Sequence, residues 1–278
     1  MSTAAKLLDG EGFNQLARTR DGYRLYNRND IYIGKGLETY GEFGTLEMAM
    51  LTRLCGSGDV VIEVGANIGA HTVSLARHVG PGGAVIAIEP QRLVFQTLCA
   101  NIALNSLRNV FAHWAAAGRN EGAIRVPEPD PGARNNFGGL SLAGAQGGIT
   151  VQCLKLDRFL SLPRLQLIKI DVEGMEAEVI AGADGLIRRF RPLLYLENDR
   201  IDRSESLMRD LDHLGYDLYW HLPPLFNPEN FYGVSENIHP GIVSVNMIGI
   251  HRDNRLRPAP GVPITDFSVH PMRRPGKP

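Results

Sequence analysis

Several classes of protein are excluded by what this sequence has little of. Three cysteines occur in 278 residues, Cys55, Cys99 and Cys153. No pair has C-x-x-C spacing, so neither a cysteine-built zinc or redox motif nor a disulfide framework is expected, and the thiols are read as free and buried. No stretch approaches the roughly 18 apolar residues of a spanning helix, so no membrane insertion is expected. The opening MSTAAKLLDGEGFNQLARTR lacks the basic-then-apolar pattern of a secretory leader, and a cytoplasmic protein is expected. Neither sign of charge dominates: 29 Lys plus Arg stand against 30 Asp plus Glu, a formal charge of −1. That balance speaks against a polyanion binder, and no nucleic-acid partner is expected. No internal repeat of fixed period is present.

What is present is an alternation of apolar runs and amphipathic segments. Residues 1–45 form a polar and aromatic N-terminal extension, with Asp21-Gly22 as a turn between two strand-like pieces. LEMAMLTRLC (46–55) carries apolar residues at helical spacing. Strands are predicted at VVIEV (60–64), AVIAIE (84–89), VFAHWA (110–115), LQLIKID (165–171), LLYLE (193–197), DLYWH (217–221) and VSVNMIGIH (243–251). Helices are predicted at 69–79, 91–106, 176–190 and 204–214. Strands alternating with helices of this length imply βαβ units, an α/β class and a mainly parallel sheet. The main domain is placed at 46–251. A Gly/Pro-rich insert at 118–150, a long loop or an irregular β excursion, breaks the rhythm, and 222–242 is read as substrate loops. The tail, 252–278, holds five Arg, one Lys and six Pro and is read as extended.

Three places carry chemistry. In VVIEVGANIGAHT (60–72), Gly65 and Gly69 flank a turn that opens a helix, so backbone amides point at a ligand. A dinucleotide turn of the G-x-G-x-x-G type would need glycine where Asn67 stands, and the last position is Ala70. A ligand without a pyrophosphate, such as S-adenosylmethionine, fits this turn better. Glu89-Pro90 ends the next strand, at the height where a carboxylate accepts hydrogen bonds from both hydroxyls of a ribose. In IKIDVEGME (168–176), strand alternation puts Lys169 and Asp171 on one side, with Asp171 at the strand end facing the cleft. Glu173 follows in the turn, and Glu176 suits the start of a helix.

VIEVGANIGAHT, AIEP, KIDVEGMEAEVIAGA and RPLLYLEND, in this order and spacing, resemble the FkbM-type S-adenosylmethionine-dependent methyltransferases. The resemblance covers roughly residues 40–200, beginning at YGEFGTLE (40–47). It implies the class I, Rossmann-like methyltransferase fold, a mainly parallel seven-stranded sheet with helices on both faces. It also implies methylation of hydroxyls on sugars, glycans or polyketide-type metabolites, with S-adenosyl-L-methionine as cofactor. By position, Glu63, Gly65, Asn67 and Gly69 would hold the methionine part of the cofactor and Glu89 the ribose. Ala115 to Ala117, centred on Ala116, would lie along adenine, and Asp171 would sit near the sulfonium.

Transfer to an alkyl hydroxyl calls for a general base, worth roughly 10²–10⁴-fold. Asp171 is the first candidate, Glu173 the second and His71 the third. The acceptor, a small molecule or glycan, is expected against the insert and 222–242, with Phe137, Glu197, Asn198, Phe231 and Tyr232 as contact residues. No metal is part of the expectation, although Asp171, Glu173 and Glu197 offer the hard oxygen ligands that suit Mg²⁺. The alternatives are N- or carboxyl-directed methylation of a small molecule and a nicotinamide-dependent dehydrogenase. A base-directed amino-methyltransferase would show Asn/Asp-Pro-Pro-aromatic where this chain has DVEG.

Overall fold

A computed structural model describes residues 12–142, 144, 146–254 and 261–273. The chain opens with a hairpin, β1 (Asn14–Thr19) and β2 (Gly22–Asn27), turning at Asp21-Gly22. Two helices follow, α1 (Ile33–Tyr40) and α2 (Thr45–Leu54). Then come β3 (Val60–Val64), α3 (Ala70–Val79), β4 (Ala84–Glu89), α4 (Arg92–Leu104) and β5 (Val110–Trp114). The insert forms part of a small sheet of β6 (Ala116–Ala117), β7 (Gly122–Val126) and β8 (Ile149–Leu154). The α/β rhythm resumes with β9 (Leu167–Ile170), α5 (Glu176–Ala181), α6 (Asp184–Phe190), β10 (Leu193–Glu197), α7 (Ile201–His213), β11 (Tyr216–His221) and β12 (Asn246–His251). A two-residue strand, β13 (Val262–Pro263), comes from the tail.

The central sheet has the order β13-β11-β12-β10-β9-β3-β4-β5. β10, β9, β3, β4 and β5 run parallel, while β12 is antiparallel to both its neighbours. Seven of these strands are the expected class I methyltransferase sheet. The eighth, β13, is the tail folding back along the edge of β11.

Side-chain alternation sorts the apolar residues of the strands into two cores. Val61, Val85, Leu167 and Tyr195 pack against α2 and α3 on one face. Ile62, Val64, Ile168, Ile170 and Leu194 pack against α5, α6 and α7 on the other. The N-terminal hairpin is tied to α4, where the buried Asn101 side chain bonds both the N–H and the carbonyl of Leu25. Of the three cysteines only Cys55 is buried. Cys99 faces out from α4, Cys153 is half-buried, and all are free thiols.

Candidate active site

A cleft of about 470 Å³ opens at the carboxyl ends of β3, β4, β9 and β10. β3 is buried on both faces and runs into Gly65, whose φ is +79°. A Cβ there would lie 1.8 Å from the carbonyl oxygen of Asp171, so only glycine lets the ends of β3 and β9 approach this closely. Asn67 also adopts a left-handed conformation, φ +50°, which asparagine tolerates better than most residues. Its Oδ1 accepts the N–H of Ile68 at 2.7 Å.

Gly65 and Asn67 line the cleft, whereas Gly69 and Glu63 stand behind it. Gly69 caps α3, and a Cβ on it would press on Leu98 at 2.8 Å. Glu63 points into the buried α3 side of the sheet and accepts the Thr72 hydroxyl at 2.6 Å. Both shape the turn rather than its surface.

Glu89 ends β4 in the cleft wall with both oxygens engaged. Oε2 accepts the N–H of Asn67 at 2.9 Å, and Oε1 that of Gln91 at 2.8 Å. Burial pushes this carboxyl up to about 7, against the pull of those two amides. Each oxygen retains a second lone pair for a hydroxyl donor. Ala115, Ala116 and Ala117 line the cleft beside it with small side chains.

Beneath the cleft lies a buried charge network. Strand register puts Lys169 between Glu63 on β3 and Tyr195 on β10. Lys169 is 2% exposed and donates to Asp171 Oδ2 at 3.0 Å. Burial opposes its charge, but Asp171, Glu63 and Glu47 outweigh that and hold it protonated. Glu47, from the first turn of α2, lines the cleft and accepts the hydroxyl of Ser244. Its carboxyl is raised by burial, an effect that Lys169 and Ser244 oppose.

His71 is lowered to about 4, first by burial and then by Lys169, so its ring is neutral near pH 7. Its Nε2 faces the Gly44 carbonyl at 3.3 Å and Glu47 at 4.0 Å. The ring therefore fastens α3 to the segment entering α2 while also forming part of the cleft wall.

The opposite wall is acidic. Asp171, Glu173 and Glu197 each present a carboxylate oxygen, and these lie within 4.8 Å of one another. Glu173 sits at φ +55° and Gly174 at φ +98°, two successive left-handed residues that swing the turn out of β9. Such backbone in a non-glycine residue costs of order 1–3 kcal/mol and clusters at functional sites. Burial and then Asp171 raise the Glu173 carboxyl to about 7, although Arg200 donates to it. Glu197 is raised well above the carboxylate range by burial, then by Asp171 and Glu173. Its Oε2 is buried without a hydrogen-bond partner, as is Nδ2 of Asn246, which faces it across the β10–β12 register and also lines the cleft.

Four of the expected acceptor contacts lie elsewhere. Phe137 is 7% exposed in a core with Tyr26, Ile33 and Ile68, because the insert folds its aromatic side chain inward. Its neighbours Asn136, Gly138, Gly139 and Leu140 are the part of the insert that reaches the cleft. Asn198 is buried behind Glu197, with its carbonyl facing Nε2 of His270 from the tail at 2.8 Å. Phe231 and Tyr232 pack over Gly41, and the Tyr232 hydroxyl donates to the Arg18 carbonyl. They fasten the 222–242 segment to the N-terminal extension. From that segment Leu225 and Ile242 line the cleft instead.

Glu47, Arg200, Ser244 and Asn246 are cleft residues that sequence reasoning missed. Glu47 lies inside the YGEFGTLE segment, but nothing local distinguishes a buried first-turn glutamate from a solvated one.

A sequence profile of the methyltransferase FkbM domain matches residues 63–218. A curated relative, "Methyltransferase 1" of Beauveria bassiana (strain ARSEF 2860), is 27% identical over 146 residues, which are 45% of this chain and 58% of the relative. The chain thus spans a little over half the length of that relative. Among solved structures, the methyltransferase FkbM of Methylobacillus flagellatus KT is 20% identical, with 70% of this chain and 44% of that chain covered and a TM-score of 0.48. TYW2 of M. jannaschii, crystallised in complex with AdoMet, is 16% identical over 88% of both chains with a TM-score of 0.45. Strand order and helix placement define a class I methyltransferase fold. The sequence match covers more than half of the chain, and the protein belongs to the FkbM methyltransferase family.

Proposed function

We propose that this chain is an S-adenosylmethionine-dependent O-methyltransferase acting on a hydroxyl of a sugar, glycan or polyketide-type metabolite. The observation that carries the reading is a single cleft with two unlike walls: a glycine turn with a strand-end Glu89 on one, and Asp171, Glu173 and Glu197 on the other. The first wall fits the cofactor. The close approach of backbone at Gly65 makes room for its methionine part, Glu89 has lone pairs left for ribose hydroxyls, and Ala115–Ala117 leave a flat surface for adenine.

S-adenosylmethionine supplies a methyl group already activated on a sulfonium. The chain's own residues must then align the acceptor about 3 Å from the methyl carbon, exclude water and take up one proton. Asp171 and Glu173 are the carboxylates we assign to the proton, Asp171 first. Lys169 fixes the Asp171 side chain through one oxygen and leaves the other free. Glu173, raised to about 7, has the affinity of a base suited to neutral pH. The third candidate, His71, serves better as a wall than as a base.

The ionisable lining includes Glu47, Glu89, Asp171, Glu173, Glu197 and Asp199, with Arg200 as its arginine. A lining with one arginine and no lysine offers a phosphate backbone little to bind and favours a neutral small acceptor over nucleic acid. Among the described residues no helix is long and apolar enough to cross a membrane, and the free thiols fit a reducing cytoplasm.

The test is incubation with S-adenosylmethionine and a panel of methyl glycosides and hydroxylated polyketides, with products analysed by mass spectrometry and NMR. An O-methyl product lost in Asp171→Asn supports the reading. Methyl on nitrogen or carboxylate, or no transfer to any hydroxyl, contradicts it.

A further inference from the structure

We propose that Asp171, Glu173 and Glu197 form a divalent-cation site for Mg²⁺ or Mn²⁺ at the acceptor side of the cleft. The methyltransferase reading gives this site its purpose, but the site itself is argued from charge and geometry. Three carboxylates from two adjacent strand ends bring one oxygen each to within 4.8 Å of one another, the only such grouping among the described residues.

The protein offers this wall two cations, each directed at one oxygen. Lys169 bonds Oδ2 of Asp171, and Arg200 bonds Oε2 of Glu173 while also pairing with Asp199 at 3.4 Å. Each of those carboxylates keeps a free oxygen. Glu197 bonds neither of them, and its Oε2 is buried with no hydrogen-bond partner. An acceptor stripped of water and left unpaired is costly, and the cost is larger for a charged group. Counting Asp199, four carboxyl groups share two cations, so the wall crowds oxygen acceptors around an orphaned one.

A hard cation relieves both at once. Mg²⁺ is commonly held by one or two carboxylates and keeps its remaining positions for water and ligand oxygens. At this wall those positions face the cleft, where neighbouring hydroxyls of a polyol acceptor would occupy them. The competing way to satisfy Glu197 is a proton, which would leave no metal affinity.

The test uses the metal alone. Mn²⁺ is titrated into the full-length protein and followed by calorimetry and by loss of the free Mn²⁺ EPR signal, with S-adenosylhomocysteine binding and melting temperature measured in parallel. One Mn²⁺ per chain, weakened at least about tenfold in both Glu197→Gln and Glu173→Gln and displaced by Mg²⁺, supports the site. No binding up to about 5 mM Mn²⁺, or binding that both variants leave unchanged, overturns it. If Glu197→Gln unfolds, Glu173→Gln, in the turn after β9, decides alone. S-adenosylhomocysteine binding reports on the methyltransferase reading independently, so loss of one conclusion does not remove the other.

Discussion

On the β3–β4 side of the cleft, polar groups meet partners within the fold: Glu89 accepts two backbone amides, Glu63 accepts Thr72, and the Asn67 side chain folds onto Ile68. On the β9–β10 side, carboxylates crowd together, Glu173 sits on strained backbone, and Glu197 ends in an unpartnered oxygen. Under the proposed reading the first wall is preorganised for the cofactor, and the second holds unsatisfied oxygens for a group that arrives with the acceptor. If cofactor binding and acceptor chemistry divide between the walls in this way, mutations on the two walls should separate accordingly.

The largest effect is expected at Asp171. Asp171→Asn keeps the side-chain size and still accepts from Lys169, but removes the charge and the proposed base, so kcat should fall by roughly 10²–10⁴. Cofactor affinity should change little and the melting temperature by only a few degrees. Steady-state kinetics with a calorimetric binding control would check this, and a near-normal kcat would transfer the role to Glu173.

Next comes Gly65→Ala, on the other wall. The new Cβ meets the Asp171 carbonyl at 1.8 Å in a left-handed backbone, which should cost several kcal/mol and lower the melting temperature by roughly 5–12 °C. A variant melting with wild type would show that the ends of β3 and β9 are not locked together.

A smaller effect is pH-dependent stability. Glu89 is raised in the folded state to about 7, so its folded form binds a proton that the unfolded chain has already released. The stability this contributes is present at low pH and lost as pH rises toward and through 7. His71, lowered to about 4, acts in the opposite sense, its contribution being present above the ordinary histidine range and lost as pH falls through 4. Glu89→Gln should therefore gain stability relative to wild type between pH 5 and 8, on the order of 1–3 kcal/mol. Denaturant titrations at both pH values would measure it, and an unchanged difference would mean that Glu89 ionises normally.

The smallest effect is expected for Tyr232→Phe. It removes one hydrogen bond to the Arg18 carbonyl at a site away from the cleft, worth about 1 kcal/mol. The acceptor KM should move less than about twofold, and a large KM change would bring the 222–242 aromatics back into acceptor binding.

Much of the sheet was legible because its strands are nearly continuous apolar runs between glycine and proline turns. VVIEV, AVIAIE, LLYLE and their intervening helices stand within a few residues of the predicted bounds. α1 was missed because IGKGLETY carries two glycines and too short an apolar stripe. The predicted helix 176–190 breaks in two at Gly182-Ala183, where a Cβ on Gly182 would strike the Gly118 carbonyl at 2.0 Å. β8 was missed because it pairs with β6 and β7, both brought to it from the far side of the insert.

In the site, residues at strand ends were readable because topology alone brings them to one edge: Gly65, Glu89, Asp171 and Glu197. Residues supplied from α2 and β12, such as Glu47 and Asn246, were not, since their meeting depends on packing rather than local pattern. Phe137, Phe231 and Tyr232 show the converse. Aromatic residues in a loop beside a cleft serve equally well as the anchors that hold the loop in place.

The most direct test of the central claim is a calorimetric titration of S-adenosylhomocysteine into wild type, Glu89→Ala and Glu197→Gln. Two separate walls require 1:1 binding to wild type, at least about tenfold weaker binding to Glu89→Ala, since each lost hydrogen bond to a charged group is worth about 1.5–3 kcal/mol, and unchanged binding to Glu197→Gln. Equal affinity for wild type and a folded Glu89→Ala, or loss confined to Glu197→Gln, would contradict the account.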